Sequence, residues 1–278
     1  MAIAVAPNGA RKRRADHPRL PLTPGELAHC AADCLAAGAS MLHLHVRDSE
    51  GRHSLDPADY RAALDAIRER VGDALLLQVT TEAGGRYAPT EQIARMRELA
   101  PQALSISVRE LWSDPRAEAA AAAFIAELAD RAALVQYIVY DAGDLARMAR
   151  LHEQGTIRQT TPHVLFVLGS YAARRAGHPS ELPPLAGALP AGWPWSACAF
   201  GAAELRCVTA AALLGGHVRV GFETNLLLPS GVTATDNGEL VRASRDVLDR
   251  LGLRSATCAE TRRLFRDSRE PAPSSIHP

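Results

Sequence analysis

Along this chain, short apolar runs rich in β-branched residues alternate with longer amphipathic stretches, the rhythm of strand followed by helix. Residues 2–6 predict a buried strand, and an irregular loop follows from Pro7 to Leu22. Thr23-Pro24-Gly25-Glu26 supplies an N-cap, a proline at the first helical position and a glutamate at the third, a capping box that opens a helix to about Ala37. A strand over 39–46 comes next, and Asp56-Pro57-Ala58-Asp59 starts a second helix to about Arg70. The alternation continues with strands over 74–80, 103–108 and 132–140, each followed by a helix, over 90–99, 116–130 and 144–154. Residues 163–168 form a sixth strand. One short, poorly formed helix is expected between His178 and Pro194, because Pro183, Pro184 and Pro190 interrupt it. Strands over 195–200 and 217–221 and helices over 202–214 and 236–251 complete the series, the last capped by Asp236 with Glu239 behind it.

Eight strand–helix units in about 250 residues predict a (β/α)8 barrel, one domain spanning 1–278. A doubly wound open sheet is the alternative, but no GxGxxG follows the first strand. From about Asp267 the chain (Pro271, Pro273, Ser274, Ser275) reads as a flexible tail.

Composition narrows the function. The formal net charge is zero, so no bulk field argues for nucleic acid or a membrane surface. No apolar run approaches the roughly 20 residues needed to span a bilayer, and the N-terminus lacks the pattern of a signal peptide. Five cysteines without a CxxC pair suggest a reducing, cytoplasmic setting, with Cys30 and Cys34 as small hydrophobes one helical turn apart. The basic run Arg11-Lys12-Arg13-Arg14 has no interleaved aromatics, which leaves a solvated loop or an anion-binding loop at the barrel mouth.

Chemistry concentrates in Met41-Leu-His-Leu-His-Val-Arg-Asp48. Its alternation sends His43 and His45 to the same face of a strand end, where a barrel carries its active site. Glu223, just past the strand 217–221, would complete a two-histidine, one-carboxylate set of the kind that holds catalytic zinc. Satisfied core histidines and a structural ion pair are the other reading. Arg219 lies on the strand that delivers Glu223, and register decides whether it faces inward. Thr80, Ser105, Ser107 and Tyr140-Asp141 end other strands, where hydroxyls serve equally as substrate donors or helix caps.

Several stretches resemble the β-keto acid cleavage enzyme family (3-keto-5-aminohexanoate cleavage enzyme-like). They are Ala15-Asp16-His17-Pro18, His43-Leu-His-Val-Arg47-Asp48, Phe166-Val-Leu-Gly169, Gly215-Gly-His-Val-Arg219-Val-Gly-Phe-Glu223 and Asp236-Asn-Gly-Glu-Leu-Val241. The resemblance implies a (β/α)8 barrel, a homotetramer, and Zn²⁺ on His43, His45 and Glu223. It also implies a reaction in which a β-keto acid and acetyl-CoA give acetoacetate and a new acyl-CoA. It places substrate-contacting hydroxyls at Thr80 and Ser105 and a catalytic arginine at Arg219. The chain departs from the family pattern where acids are expected. Thr224 stands at the position of the proposed base, Gln136 and Ile138 at two glutamates, and Arg11 at the acid that receives a substrate amino group. Arg109 replaces a glycine. Threonine is no base near neutral pH, so Asp141, Glu82, Glu110 or a metal-bound hydroxide would have to take the proton. Arg11 predicts anionic rather than cationic substrates. Two other readings remain: a zinc-binding barrel that has lost the reaction, and a metal-dependent hydrolase, for which the later strands lack the ligands.

Overall fold

The computed structural model describes residues 1–170 and 175–266, so the tail expected from Asp267 lies outside the described residues. Eight parallel strands close into a barrel: β1 (Ile3–Val5), β2 (Met41–His43), β5 (Leu76–Thr80), β6 (Ala103–Ser107), β7 (Leu134–Val139), β8 (His163–Leu168), β9 (Trp195–Ala199) and β10 (His217–Val220), with β10 pairing back onto β1. This is the expected (β/α)8 architecture, and the closed ladder rules out an open sheet. Two further strands, β3 (Val46–Arg47) and β4 (His53–Ser54), form a small antiparallel hairpin after β2.

Helices α1 (Pro24–Ala37), α2 (Pro57–Val71), α3 (Pro89–Leu99), α5 (Glu118–Asp130), α6 (Ala142–Glu153), α7 (Leu182–Ala188), α8 (Glu204–Leu213) and α9 (Asn237–Arg250) connect the strands or follow the last of them. The Thr23–Glu26 capping box forms as expected, with both reciprocal hydrogen bonds in place. A single turn, α4 (Val108–Leu111), takes the residue that patterning assigned to the end of a strand. Pro183 and Pro184 do not interrupt α7. They occupy its first turn, where no amide hydrogen is required, and Pro190 falls beyond its end. One helix was not anticipated: α10 (Cys258–Phe265), opened by a Thr257–Glu260 capping box.

Side chains alternate in and out of the barrel as the strand period demands. At its floor Ala4, Met41, Leu76, Ala103 and Leu134 form an apolar layer closed by Phe265 of α10. His163 stacks on Phe265 with ring centroids 4.2 Å apart and bonds Ser196 Oγ, so it sits at the end opposite the strand termini. Nearer the top, Ile138, Leu165, Val167 and Cys198 make a second apolar cluster. Above that lies the site.

Candidate functional site

The strand expected over 39–46 stops at His43, and this break shapes the site. Leu44 N–H still bonds Gln78 O, but His45 N–H turns to Asn8 Oδ1 and Val46 enters the hairpin. Both imidazoles nevertheless converge, with their Nε2 atoms 3.2 Å apart. Glu223 Oε2 lies 3.3 Å from His45 Nε2 and 3.7 Å from His43 Nε2, and it has no hydrogen-bond partner among the described residues. The three ligand atoms all fall within 4.8 Å of one another. Two buried imidazoles and a half-buried carboxylate with an orphaned oxygen, facing one another, fit one divalent cation.

The surroundings favour metal-ready protonation states. His43 Nδ1 lies 2.8 Å from Gln78 Oε1, and Gln78 Nε2 in turn donates to Gln136 Oε1. This amide chain makes Nδ1 the protonated nitrogen and leaves Nε2 as a lone pair. Burial, aided by Arg219, lowers the His43 pKa to about 3, so the ring is neutral near pH 7. Burial opposes charge on Glu223, yet Arg219 and His45 hold its carboxyl well below the usual range. Register settles the direction of Arg219: it points inward, paired with Glu223 Oε1, while its Nε and Nη1 find no partner among the described residues.

Two glycines let the chain pass close to this cluster. Gly9 has φ +64°, and a Cβ there would lie 2.6 Å from Glu223 Cγ. Gly221, at φ +135°, would bring a Cβ to 2.4 Å from the Ala6 carbonyl oxygen. The first loop is braced over the site, since Arg47 bonds Gly9 O and Lys12 Nζ donates to Glu223 O at 2.7 Å.

A cavity of about 260 Å³ opens here, lined by His43, Glu82, Glu110, Tyr140, Arg219 and Glu223. Arg11 and Lys12 of the basic run also line it, whereas Arg14 pairs with Glu26 at the surface. Burial raises the Glu82 and Glu110 pKa values, so neither carboxylate is fully at home in its charged form.

Other residues singled out by sequence fall elsewhere. Thr80 and Ser105 bond each other through their hydroxyls at 3.0 Å, and Thr80 Oγ1 accepts the Glu82 N–H; both are buried and neither lines the cavity. Asp141 caps α6 and pairs with Arg109 at 2.6 Å, and its side chain is 61% exposed. Thr224 does not line the cavity either; its hydroxyl donates to Glu204 Oε1 at 2.6 Å. Sequence reasoning overlooked Glu204 and Gln78. An amide amid the apolar run Leu75–Thr80 was a signal, because a buried amide needs a partner.

Comparison with known proteins agrees with this geometry. The beta-keto acid cleavage enzyme family model matches residues 1–266. A 3-keto-5-aminohexanoate cleavage enzyme from Fusobacterium nucleatum subsp. nucleatum is 31% identical over 270 residues, covering 95% of this chain and 97% of the relative. The 3-oxoadipate:acetyl-CoA acetyltransferase of Cupriavidus necator is 26% identical, covering 95% and 93%. Among solved structures, a binary complex of ObcA with oxaloacetate shares the fold at TM-score 0.72 and 18% identity, over 89% of this chain and 67% of that one. This chain belongs to the beta-keto acid cleavage enzyme family.

Proposed function

We propose that this chain exchanges acyl groups between a β-keto acid and acetyl-CoA, yielding acetoacetate and a new acyl-CoA, with Zn²⁺ held by His43, His45 and Glu223. The observation that carries the reading is the convergence of those three ligand atoms beside Arg219, whose Nε and Nη1 are buried without a hydrogen-bond partner among the described residues. When bound, the metal supplies Lewis acidity to a keto oxygen. Arg219 binds and orients the substrate's carboxylate or developing negative oxygen, for which a guanidinium fork is suited. The apolar cluster of Ile138, Leu165, Val167 and Cys198 beneath the cavity limits water around the carbon nucleophile.

The substrate class we propose is an anionic β-keto acid. Arg11, Lys12 and Arg109 line the cavity together with Arg219, so positive charge is available to a second substrate carboxylate, and a relative bearing the name 3-oxoadipate:acetyl-CoA acetyltransferase supports a dicarboxylate. The test is acetoacetate release from acetyl-CoA with 3-oxoadipate set beside 3-keto-5-aminohexanoate, with bound metal measured in parallel. A higher kcat/KM for 3-oxoadipate is expected; preference for the amino compound would overturn the substrate assignment. A metal-bound protein inert toward both would instead favour a second reading, a barrel that keeps its metal and pocket but not the reaction. That reading draws on Gln136, Ile138 and Thr224 standing where the family places acids.

A further inference from the structure

The proposed reaction needs a group that removes a proton from the carbon between ketone and carboxylate, and we infer that this group is Glu82. The inference rests on the functional reading above and goes beyond it. Three carboxylates line the cavity, and two have other tasks. Glu223 belongs to the metal set and pairs with Arg219. Glu110 Oε2 accepts the Ala83 N–H at 2.9 Å, pinning the loop that carries Glu82. Glu82 is held through its backbone instead: its N–H donates to Thr80 Oγ1 at 3.0 Å, and His53 Nε2 donates to its carbonyl at 2.7 Å.

That arrangement leaves the Glu82 carboxylate facing the cavity. Its Oε2 lies 3.7 Å from His45 Nε2, so it stands beside the His43, His45 and Glu223 group, whose ligand atoms all lie within 4.8 Å of one another, without being part of it. Its side chain is 23% exposed, open to the cavity yet largely shielded from solvent. Asp141, the other acid near a strand end, is committed to capping α6 and to Arg109 and lines no part of the cavity. Backbone anchoring of a carboxylate that faces the cavity beside His45 is the geometry expected of a general base, which must hold position while its charge changes.

The step balances. A Glu82 oxygen gains the proton as the C2–H bond breaks, and the electron pair spreads into the adjacent ketone, forming the carbon nucleophile. This carbon attacks the acetyl-CoA carbonyl and expels the CoA thiolate. The thiolate then attacks the original ketone, the C2–C3 bond breaks, and C2 of the departing acetoacetate recovers the proton from Glu82. No oxidant or additional reactant is required.

The test follows deuterium incorporation at C2 of 3-oxoadipate in D2O without acetyl-CoA, in the zinc-loaded wild type and in Glu82→Gln, Glu82→Asp and Glu110→Gln. Rates are taken above the spontaneous background. Metal stoichiometry and calorimetric binding of 3-oxoadipate are read on the same samples. Glu82→Gln should keep one metal per chain, bind 3-oxoadipate within about threefold of wild type and lose enzyme-dependent exchange by about 10³-fold, in the range of general-base removal. Glu82→Asp should recover part of the exchange, and Glu110→Gln should lose less than tenfold. Exchange by Glu82→Gln within a few-fold of wild type overturns the inference, as does loss of its metal, which would make Glu82 a ligand. Wild-type exchange abolished by Glu82→Gln, with no acetoacetate formed once acetyl-CoA is added, would overturn the acyl exchange while leaving the base in place.

Discussion

The Thr224 hydroxyl donates to Glu204 Oε1 across 2.6 Å, and Asn225 Nδ2 donates to the other carboxyl oxygen. Glu204 is buried, and burial pushes its pKa up to about 8. A second acid at position 224 would therefore meet a carboxyl group that has no solvent and no spare donor. The Thr224 hydroxyl and Glu204 form one buried hydrogen-bonded unit. Thr224→Asp is expected to lower the melting temperature and restore no rate. The loss should be greater at pH 8.5 than at pH 6, because two close carboxyls can share one proton but not lose both cheaply. Thermal melts of the variant with and without Glu204→Gln check this, and the double variant should regain part of the loss.

Gly9→Ala probes the close approach of the first loop to the candidate metal site. The added methyl would lie 2.6 Å from Glu223 Cγ on a backbone at φ +64°. Glu223 must move, since Arg219 and the Lys12 contact hold it from the other sides. Metal stoichiometry is expected to fall well below one per chain, while the fold survives a strain of about 1–2 kcal/mol. Full zinc occupancy in this variant would contradict the packing described.

Gln78→Leu removes the acceptor for His43 Nδ1 and the donor to Gln136 at once. Loss of such an orienting partner weakens metal binding by about 10–100-fold. Competition with a chelator against wild type measures it. His43→Ala should abolish stoichiometric binding altogether, and one retained zinc per chain would reject the ligand assignment.

Acid stability offers an independent check on the barrel floor. Burial lowers the His163 pKa to about 3. Unfolded chains take up that proton near pH 6.5, whereas the native state does not until far lower pH, so stability falls as pH drops through this window. Between pH 6.5 and 5 this one group contributes a loss of about 2 kcal/mol. Urea unfolding of His163→Phe at the two pH values should show a smaller drop than wild type. Equal drops would mean the native ring is protonated.

Much of this was legible in the chain because period-two alternation is local. It put His43 and His45 on one face of a strand end and gave the succession of strands and helices without any long-range information, but it left the direction of Arg219 to the register that only the closed barrel fixes. The Thr23–Glu26 and Asp236 caps marked helix starts for the same reason. What the pattern did not contain was the choice among acids. Glu82, Glu110 and Asp141 all follow strands, and which of them reach the cavity depends on the segment after each strand. Asp141 is drawn outward by Arg109 and by the α6 amides, while Glu110 lines the cavity with one oxygen occupied by the Ala83 amide, and neither partner is signalled by the pattern around His43 and His45. Helix α10 was missed although its capping box was present, because its short apolar stripe makes sense only against the open end of a barrel already formed.

That helix also bears on how the molecule is made. Thr261 Oγ1 donates to Ser40 Oγ across 221 residues of sequence, and Phe265 seals a layer that begins at Ala4. A barrel whose base is stoppered by a late segment stays wet at one end until nearly all of the described chain has been produced. Such long-range closure makes for slow folding. A nascent chain arrested before residue 258 would carry His43, His45, Glu223 and most of the pocket but hold them on a drum without its lower skin.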